Sequence, residues 1–495
     1  MKKYLAVLFG VIFLLSFTVT AFAIHEEMPA PVDQAVVAQG PAKITLGGKI
    51  IVRGWYFDNV VGNNVSDGGG SPTSFKSQSL YTTNAYLTID ARISDNVRGY
   101  MELETSNNDG NNSGVLYWGV GKPGSPQGTY DTKPNGDFRF RQVWLQYTGS
   151  GLLGVPTGIK AGHMPIALGE KFFLNNERFG DDAILVWADP MKELHLVIGT
   201  VKLVESSNVN IGFIDHTQDL NGYVLVGTYM LDKDNTIGAN LTWAHTDGNI
   251  PSLPSSPSGN CDKMDMYNAE LHGNGKIYGF TWAFEGDIQF GKAKKVLGIE
   301  DKDFEGWGVM AKLGYMLDPV NIRAMFAYGS GDDDAHGNIS EFQTLQGTDA
   351  TGAIARLTHY TLIYERLVRT TAAEAVVTTF PGGNVRTTGI ANTMVGNLGF
   401  DIKPAKQLNV SLDGFYLEAA KTGAWEDLTG TSVSKKAGWE LDLKTNYEIA
   451  KNLSYFFEAG AFFAGDFYKD TNSLFIDTSS KRTTAMAVHG LLLNF

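Results

Sequence analysis

Residues 439–448 read WELDLKTNYE and are followed at 449–452 by IAKN. Odd-numbered positions are mainly apolar, from Trp439 to Tyr447, whereas even-numbered positions are polar or charged, from Glu440 to Glu448. Alternation with a period of two predicts a β-strand whose two faces meet different solvents. This stretch therefore predicts a strand with one side toward hydrocarbon and the other toward water, ended by a short turn.

The same alternation recurs from Ile44 to the C-terminus, interrupted by clusters of Gly, Pro, Asn and Asp. Val97–Glu104 and Phe280–Asp287 are two further examples. We count about eighteen such segments of roughly 8–14 residues, a length that suits strands crossing a bilayer. Their approximate centres are residues 50, 86, 101, 143, 160, 186, 197, 226, 241, 269, 283, 311, 325, 396, 412, 442, 458 and 490.

Every second connection between these segments is predicted to be short, and the intervening connections are long and polar. The short ones are Ile93–Asn96, Ala188–Met191, Leu231–Asn235, Asn274–Gly275, Leu317–Pro319, Lys403–Lys406 and Ile449–Asn452. Short periplasmic turns that alternate with long extracellular loops are typical of outer-membrane barrels. Because a sheet in lipid cannot leave an edge unpaired, the strands must close on themselves. We therefore predict an all-β fold, a transmembrane antiparallel up-and-down β-barrel whose lumen is too wide for side chains alone to fill.

Aromatic residues lie near the predicted strand ends and indicate two girdles at the membrane interfaces. Those near the long loops are Trp55, Tyr81, Trp243, Phe290, Trp307, Tyr328, Tyr416 and Trp439, and those near the short turns are Tyr147, Tyr229, Tyr315, Phe400 and Tyr447. Cross-strand aromatic packing in a soluble, secreted β-sandwich is the alternative interpretation.

Composition excludes several classes of protein. The chain has 495 residues, 19% of them charged, with a net charge of −13 and a single Cys. Neutralising phosphates takes clustered Lys and Arg, so nucleic acid is not an expected partner. One Cys excludes a disulfide framework. The nine His are scattered without metal-ligand spacing, and no catalytic cluster is legible, so we predict no metal site, no cofactor and no enzyme.

The N-terminus predicts export. Lys2 and Lys3 precede an apolar run that ends in a small-x-small motif at Ala23, as in a secretory signal peptide. An uncleaved anchor helix is the alternative. We predict a signal peptide over residues 1–23, a flexible periplasmic lead-in over 24–43 and one barrel domain over 44–495.

The last strand carries a resemblance to known proteins. Ala487–Phe495 resembles the terminal strand of Gram-negative outer-membrane proteins, in which a final Phe follows apolar residues at alternate positions. Phe495, Leu493 and Leu491 match that pattern, whereas His489 departs from it. The resemblance implies an outer-membrane location among lipid and lipopolysaccharide, recognition of Phe495 by the barrel assembly machinery, and possible homo-oligomers. The size of the chain is similar to that of porins with sixteen to eighteen strands, including the specific channels and the alginate-exporter-like group.

Charged residues on the predicted water-facing side are candidates to line the pore. A basic ladder would run along the first, third and fourth strands and consist of Lys49, Arg53, Arg98, Arg139 and Arg141. Glu102 lies on the third strand, on the same face as Arg98. Asp413, Glu440, Asp442 and Glu458 would form an acidic wall, and Lys312 and Arg323 add positive charge elsewhere. Opposed walls would create a transverse field at a constriction. Alternatively, the charges pair with one another and only solvate the lumen.

One strand and two connections have features of their own. The alternation changes phase between Phe138 and Val143, which predicts a β-bulge.

The longest connection runs from about Gly331 to Thr388, and a loop of that length can fold into a pore to narrow it. Within it, apolar residues 359–368 could pack inward or form an extended hairpin above the membrane. The loop that contains residues 172–178 is a second candidate constriction. Gly331–Asp334 is either a weak divalent-ion site or a solvated acidic turn.

Together these features predict an outer-membrane porin that acts as a passive, water-filled diffusion channel for small hydrophilic solutes or ions. A barrel that serves as exporter or sheath for a polysaccharide or an electron-transfer protein is the nearest alternative.

Overall fold

Antiparallel strands make up most of the described chain. The computed structural model describes residues 35–38, 42–59, 77–107, 116–118, 136–151, 154–178, 180–204, 219–247, 263–296, 300–334, 337–346, 360–368, 390–423, 426–427, 430–470 and 483–495. The strands of the barrel are β1 (Lys43–Asp58), β2 (Gln78–Arg92), β3 (Val97–Asn107), β4 (Gly136–Gly149), β5 (Thr157–Met164), β6 (Asp181–Met191), β7 (Leu194–Val204), β8 (Leu220–Met230), β9 (Thr236–Thr246), β10 (Lys263–Ile277), β11 (Phe280–Val296), β12 (Trp307–Leu317), β13 (Val320–Gly329), β14 (Thr393–Ala405), β15 (Leu408–Ala419), β16 (Lys436–Ala450), β17 (Leu453–Ala464) and β18 (Thr483–Asn494).

Each of these eighteen strands pairs with its neighbours in the chain, and β18 pairs with β1 to close the sheet. The closing register runs from Lys49 opposite Asn494 to Asp58 opposite Ala485. The backbone of Phe495 adds two hydrogen bonds to Gly48. All eighteen predicted centres lie inside observed strands, so the prediction of a closed antiparallel barrel is confirmed.

The short turns confirm the predicted alternation, although several are displaced along the chain. Connections at Ile93–Asn96 and Leu231–Asn235 are confirmed. The prediction at Asn274–Gly275 is wrong, because these residues remain paired in β10 and the chain reverses at Tyr278–Gly279. Both turn residues have positive φ, 50° and 85°, which is where a two-residue hairpin needs left-handed backbone.

Three other turns begin later in the chain than the sequence predicted. Residues 188–191 belong to β6, and its connection to β7 is only Lys192–Glu193. The turns predicted at 403–406 and 449–452 are shorter than expected, at 406–407 and 451–452. In each case residues that the sequence assigned to a turn continue the strand, by two to four residues.

The two faces of the strands differ as the alternation predicted. On β16, Trp439 and Leu441 are 59% and 53% exposed, whereas Glu440 and Asp442 are 1% and 0% exposed. Since the exposed face is apolar and encircles a closed barrel, it is the face that meets lipid. The Leu, Ile and aromatic side chains that point outward are therefore in their preferred solvent.

The aromatic girdles agree with this orientation except at Trp55. On the outer face the ring centroids of Tyr223 and Trp243 are 4.8 Å apart, and those of Tyr416 and Trp439 are 4.5 Å apart. Trp55 is wrong as a girdle residue, because it is 4% exposed and faces inward, where its Nε1 donates to Thr82. The outward position beside it on β1 belongs to Tyr56.

The bulge predicted between Phe138 and Val143 is confirmed. The pairing of β3 with β4 shifts by one residue, since Glu102 lies opposite Gln142 and Leu103 lies opposite Phe140. Arg141 is the extra residue. The bulge explains how Arg139 and Gln142 share a face despite their odd spacing.

The N-terminal region is only partly described. Residues 1–23, the predicted signal peptide, lie outside the described residues. The lead-in was predicted to be flexible, but Ala35–Ala38 form a strand that pairs with β1 at Ile44–Leu46. The barrel strand itself begins at Lys43. Of the helical segments that the structure describes, none is long and apolar enough to cross a membrane.

Candidate functional site

Three segments of the long connections fold into the barrel, and we call residues 165–178, 337–346 and 360–368 together the inner layer. Phe172, Phe173 and Phe342 are 1%, 0% and 0% exposed, and Tyr360 is 7% exposed. The alternative of an extended hairpin above the membrane is therefore wrong for residues 360–368. These residues pack inward and end in a π-helical turn at Tyr364–Val368.

The inner layer is held together by a short sheet and by aromatic contacts. Leu174 and Asn175 pair in parallel with Leu345 and Gln346. The rings of Phe173 and Phe342 are 6.4 Å apart, and those of Phe172 and Tyr360 are stacked at 6.4 Å. Two loops that the sequence suggested as separate constrictions thus meet inside one lumen.

Carboxylates on β16 anchor residues 362–364 to the barrel wall. Glu440 accepts hydrogen bonds from the backbone N–H groups of Ile363, at 2.6 Å, and Tyr364, at 2.8 Å. Asp442 accepts one from Leu362 at 2.9 Å. These two members of the predicted acidic wall are on the inward face but lie under the inner layer, so they serve the loop backbone and do not contact the aqueous path.

Polar side chains of β11 anchor the other two segments. Glu285 accepts hydrogen bonds from the backbone N–H groups of Glu170, Phe172 and Phe173, the latter two at 3.1 Å. Gln289 accepts from the N–H of Gln343 at 2.8 Å and donates to its carbonyl at 2.6 Å. Buried backbone groups of an irregular segment need partners, and the wall supplies them.

The predicted basic ladder is also engaged with the inner layer. Arg141 pairs with Glu102, and its Nε donates to the Arg178 carbonyl at 2.8 Å. Arg178 in turn forms a two-pronged ion pair with Glu104. The four side chains are buried, so they fix the end of segment 165–178 to β3 and β4.

The remaining ladder residues lie on the inward face with partners of their own. Arg98 pairs with Asp90 at 2.8 Å, and Arg53 donates to Asn84 at 2.7 Å. The Lys49 ammonium lies 4.3 Å from the Tyr86 ring centroid. Arg139, opposite Glu104 in the register, is exposed. These contacts favour the alternative that the charges largely pair with one another, and the pore-lining role of the ladder stays a prediction.

A cavity of about 720 Å³ lies on the short-turn side of Tyr360, and we call it the vestibule. Its charged lining residues are Lys312, Asp318, Arg323, Asp401, Lys403, Asp413 and Lys444. Arg323 bridges Asp401 at 2.7 Å and Asp413 at 3.1 Å. Tyr360 and Phe415, with rings 6.4 Å apart, close one end. The predicted residues Lys312, Arg323 and Asp413 are thus brought together here.

Two predicted residues, Lys312 and Glu458, lie in the vestibule lining or next to it. Lys312 lies 3.6 Å from Glu170 of the inner layer and 5.4 Å from the Phe172 ring centroid. Glu458 is opposite Lys444 in the register of β16 with β17, on the inward face. Lys312 therefore joins the vestibule to the inner layer, whereas the pore-lining role of Glu458 stays a prediction.

The acidic turn at Gly331–Asp334 lies in the connection after β13. Asp332 is 2% exposed and accepts a hydrogen bond from the N–H of Asp334 at 3.1 Å, while Asp333 pairs with Lys421 of another long connection. The hydrogen bond to the Asp333 carboxylate raises the pKa of the Lys421 ammonium. The turn thus ties two loops together.

Several residues of this site were not selected from the sequence. They are Asp90, Glu104, Glu285, Gln289 and Asp401. The strand residues among them lie on the predicted polar faces, so the alternation contained their orientation. It did not contain their partners, because these lie in loops or across the sheet.

Comparison with known proteins places this barrel in a family. The model of the alginate export family matches residues 229–479, which is just over half of the chain. The chain belongs to the alginate export family. No curated protein matches it.

Solved structures similar to this alginate export family member share its fold. OccK2 (OpdF) of Pseudomonas aeruginosa, solved in complex with glucuronate, has 10% identity and a TM-score of 0.51 and covers 91% of this chain and 98% of that chain. OccK9 (OpdG) of the same species has 12% identity and a TM-score of 0.51, and the match covers 91% of this chain and 98% of that chain. A BenF-like porin of Pseudomonas fluorescens Pf-5 has 12% identity and a TM-score of 0.50, and the match covers 91% of this chain and 99% of that chain. The prediction of an outer-membrane porin barrel is confirmed.

Proposed function

We propose that this porin conducts small hydrophilic solutes passively, without chemistry, and that the vestibule selects small acidic sugars among them. The vestibule carries the proposal, because it combines Lys312, Arg323, Lys403 and Lys444 with the rings of Tyr360 and Phe415. Cationic groups attract a carboxylate, and aromatic rings pack against the apolar face of a sugar. The family name and the glucuronate complex of OccK2 support the same class of solute.

The path would narrow where the inner layer crosses the lumen. Phe172 and Tyr360 form its aromatic centre, and Lys312 lies at its edge. A charged group at a constriction sets both ion selectivity and the occupancy of solutes. Arg323 is paired with Asp401 and Asp413, so its removal leaves two carboxylates of the vestibule without their cation, and these repel an anionic solute.

The proposal is tested by single-channel recording in planar bilayers with asymmetric salt and added glucuronate. We expect stepwise conductance that glucuronate blocks, and an Arg323→Gln variant whose reversal potential shifts toward cations and whose block is about tenfold weaker. Lys233→Gln removes an equal charge from a side chain that is 88% exposed on a short turn, and should leave both values unchanged. Equal block in the wild type and Arg323→Gln would contradict the assignment of the vestibule.

Export of a uronate polysaccharide is the second candidate function, and the family name favours it. The inner layer distinguishes the two, because a polymer must pass Phe172 and Tyr360 in an extended form. Proteoliposomes loaded with labelled uronate oligomers of increasing length supply the comparison. Efflux that falls steeply with length supports the diffusion channel, and efflux independent of length supports the exporter.

A further inference from the structure

Three carboxylates converge on the inward face of β10 and β11, outside the vestibule. Glu270 lies directly opposite Asp287, and Glu285 is two residues from Asp287 on the same strand. The side chains are 4%, 3% and 2% exposed, and one oxygen of each lies within 4.8 Å of the others. Like charges directly opposite each other in a sheet are destabilising, so this arrangement requires a compensating partner.

The protein groups satisfy only part of this cluster. Among the described residues, the donors that reach it are backbone N–H groups, two Asn amides and His272, and none is a Lys or Arg. The Oδ1 of Asp287 accepts a hydrogen bond of 2.8 Å from the side-chain amide of Asn268. The Oδ2 of Asp287 and the Oε2 of Glu270 have no hydrogen-bond partner. Buried anionic oxygens without a partner are costly, since they have lost water and gained nothing.

A neutral neighbour shows the same deficit. Asn240 is 5% exposed and donates its Nδ2 to Glu270 at 2.9 Å, while its own Oδ1 has no hydrogen-bond partner. The unsatisfied atoms around the cluster are therefore all oxygens. Oxygens that lack a donor are what a hard cation binds.

We propose that Glu270, Glu285 and Asp287 bind a calcium ion. Calcium takes carboxylate and amide oxygens at about 2.3–2.6 Å, so ligands on opposite sides of it are up to about 5 Å apart. The three oxygens lie within 4.8 Å of one another and so fall inside that span. Magnesium demands a near-ideal octahedron and usually keeps several waters, whereas calcium accepts irregular sets of protein oxygens, which favours calcium in this buried site.

The site would connect the barrel wall to the inner layer. A Cβ built on Gly169 would overlap Glu270 and lie 2.8 Å from Oε2 of Glu285, so only glycine lets the loop backbone approach the cluster. The φ of Gly169 is +51°, which also favours glycine. Glu285 holds the next residues of the loop through its three N–H contacts. A bound cation would therefore fix the position of segment 165–178.

Calcium titration calorimetry on the purified, EDTA-treated protein in detergent free of lipopolysaccharide tests the site. We expect one equivalent of calcium per chain, weaker binding of magnesium, and an affinity for calcium that falls about tenfold or more in Asp287→Asn. Asp90→Asn is the matched control, because Asp90 is also a buried inward carboxylate but is paired with Arg98. It should bind calcium as the wild type does.

The result is independent of conductance, so failure of the channel proposal leaves this test intact. Heat-modifiable gel migration shows which variants are assembled, and Glu270→Gln replaces Asp287→Asn if that variant does not assemble. Absence of calcium binding to the wild type, or equal affinities in the wild type and the cluster variant, would overturn the proposal. Magnesium binding as tight as calcium binding would overturn the assignment of the ion.

Discussion

The anchoring of the inner layer by Glu440 gives the most direct test of how the lumen is narrowed. Its carboxylate accepts the N–H groups of Ile363 and Tyr364, and all three residues are 4% exposed or less. Glu440→Ala removes both acceptors at once. Glu440→Gln keeps one oxygen and the side-chain volume, so its effect should be intermediate.

The magnitude follows from these two contacts. A buried hydrogen bond to a charged acceptor contributes about 1.5–3 kcal/mol, so Glu440→Ala should cost the docked state about 3–6 kcal/mol. Since 1.4 kcal/mol is a factor of ten, the ratio of undocked to docked segment should rise about 10²- to 10⁴-fold. The contact of Asp442 with Leu362 remains and limits the loss.

Single-channel recording measures this change. We expect a larger mean conductance in Glu440→Ala, with more frequent transitions between levels, because residues 360–368 spend more time out of the lumen. Glu448→Ala is the control, since Glu448 is on the same strand but its side chain is exposed. If Glu440→Ala conducts as Glu448→Ala and the wild type do, the segment does not narrow the path and the reasoning fails.

Two further changes probe the loop and the lipid face. Gly169→Ala should displace segment 165–178, because the added Cβ would overlap Glu270 and the φ of this residue is positive. We expect a larger conductance in the same recordings. An unchanged current would show that this loop does not limit the conductance. Ile198→Arg places a charge on a side chain that is 61% exposed near the middle of β7, and should lower the unfolding free energy by about 2–4 kcal/mol in urea titrations in lipid; unaltered stability would place Ile198 outside the hydrocarbon.

The barrel could be predicted from the sequence because two solvents act on every strand residue in turn. Lipid selects residues such as Leu441 and the polar interior of the barrel selects residues such as Asp442, so the period of two records both the strand and its orientation. Turn positions were less well predicted. Asn274–Gly275 has the composition of a hairpin turn, yet pairing in β10 continues beyond it, because register is set by the whole ladder.

The candidate site could not be predicted in the same way, because the alternation indicates a face and not a partner. Glu440 meets the backbone of Ile363, which is 77 residues away along the chain, and Glu285 meets Phe173 at a separation of 112. The partners lie in long connections that have no periodicity. Glu270 and Asp287 likewise come together only through the register of one hairpin, which explains why spacing along the chain predicted no metal site.

These contacts change where charge can act on a solute. The inward carboxylates of Glu285, Glu440 and Asp442 are used by backbone N–H groups, and Arg141 is neutralised by Glu102. Charges that are buried and paired contribute little field to an aqueous path, whereas groups beside water act on ions that pass them. Selectivity should therefore arise in the vestibule, and the charged walls that the sequence placed opposite each other should act mainly as the framework that holds the constriction in place.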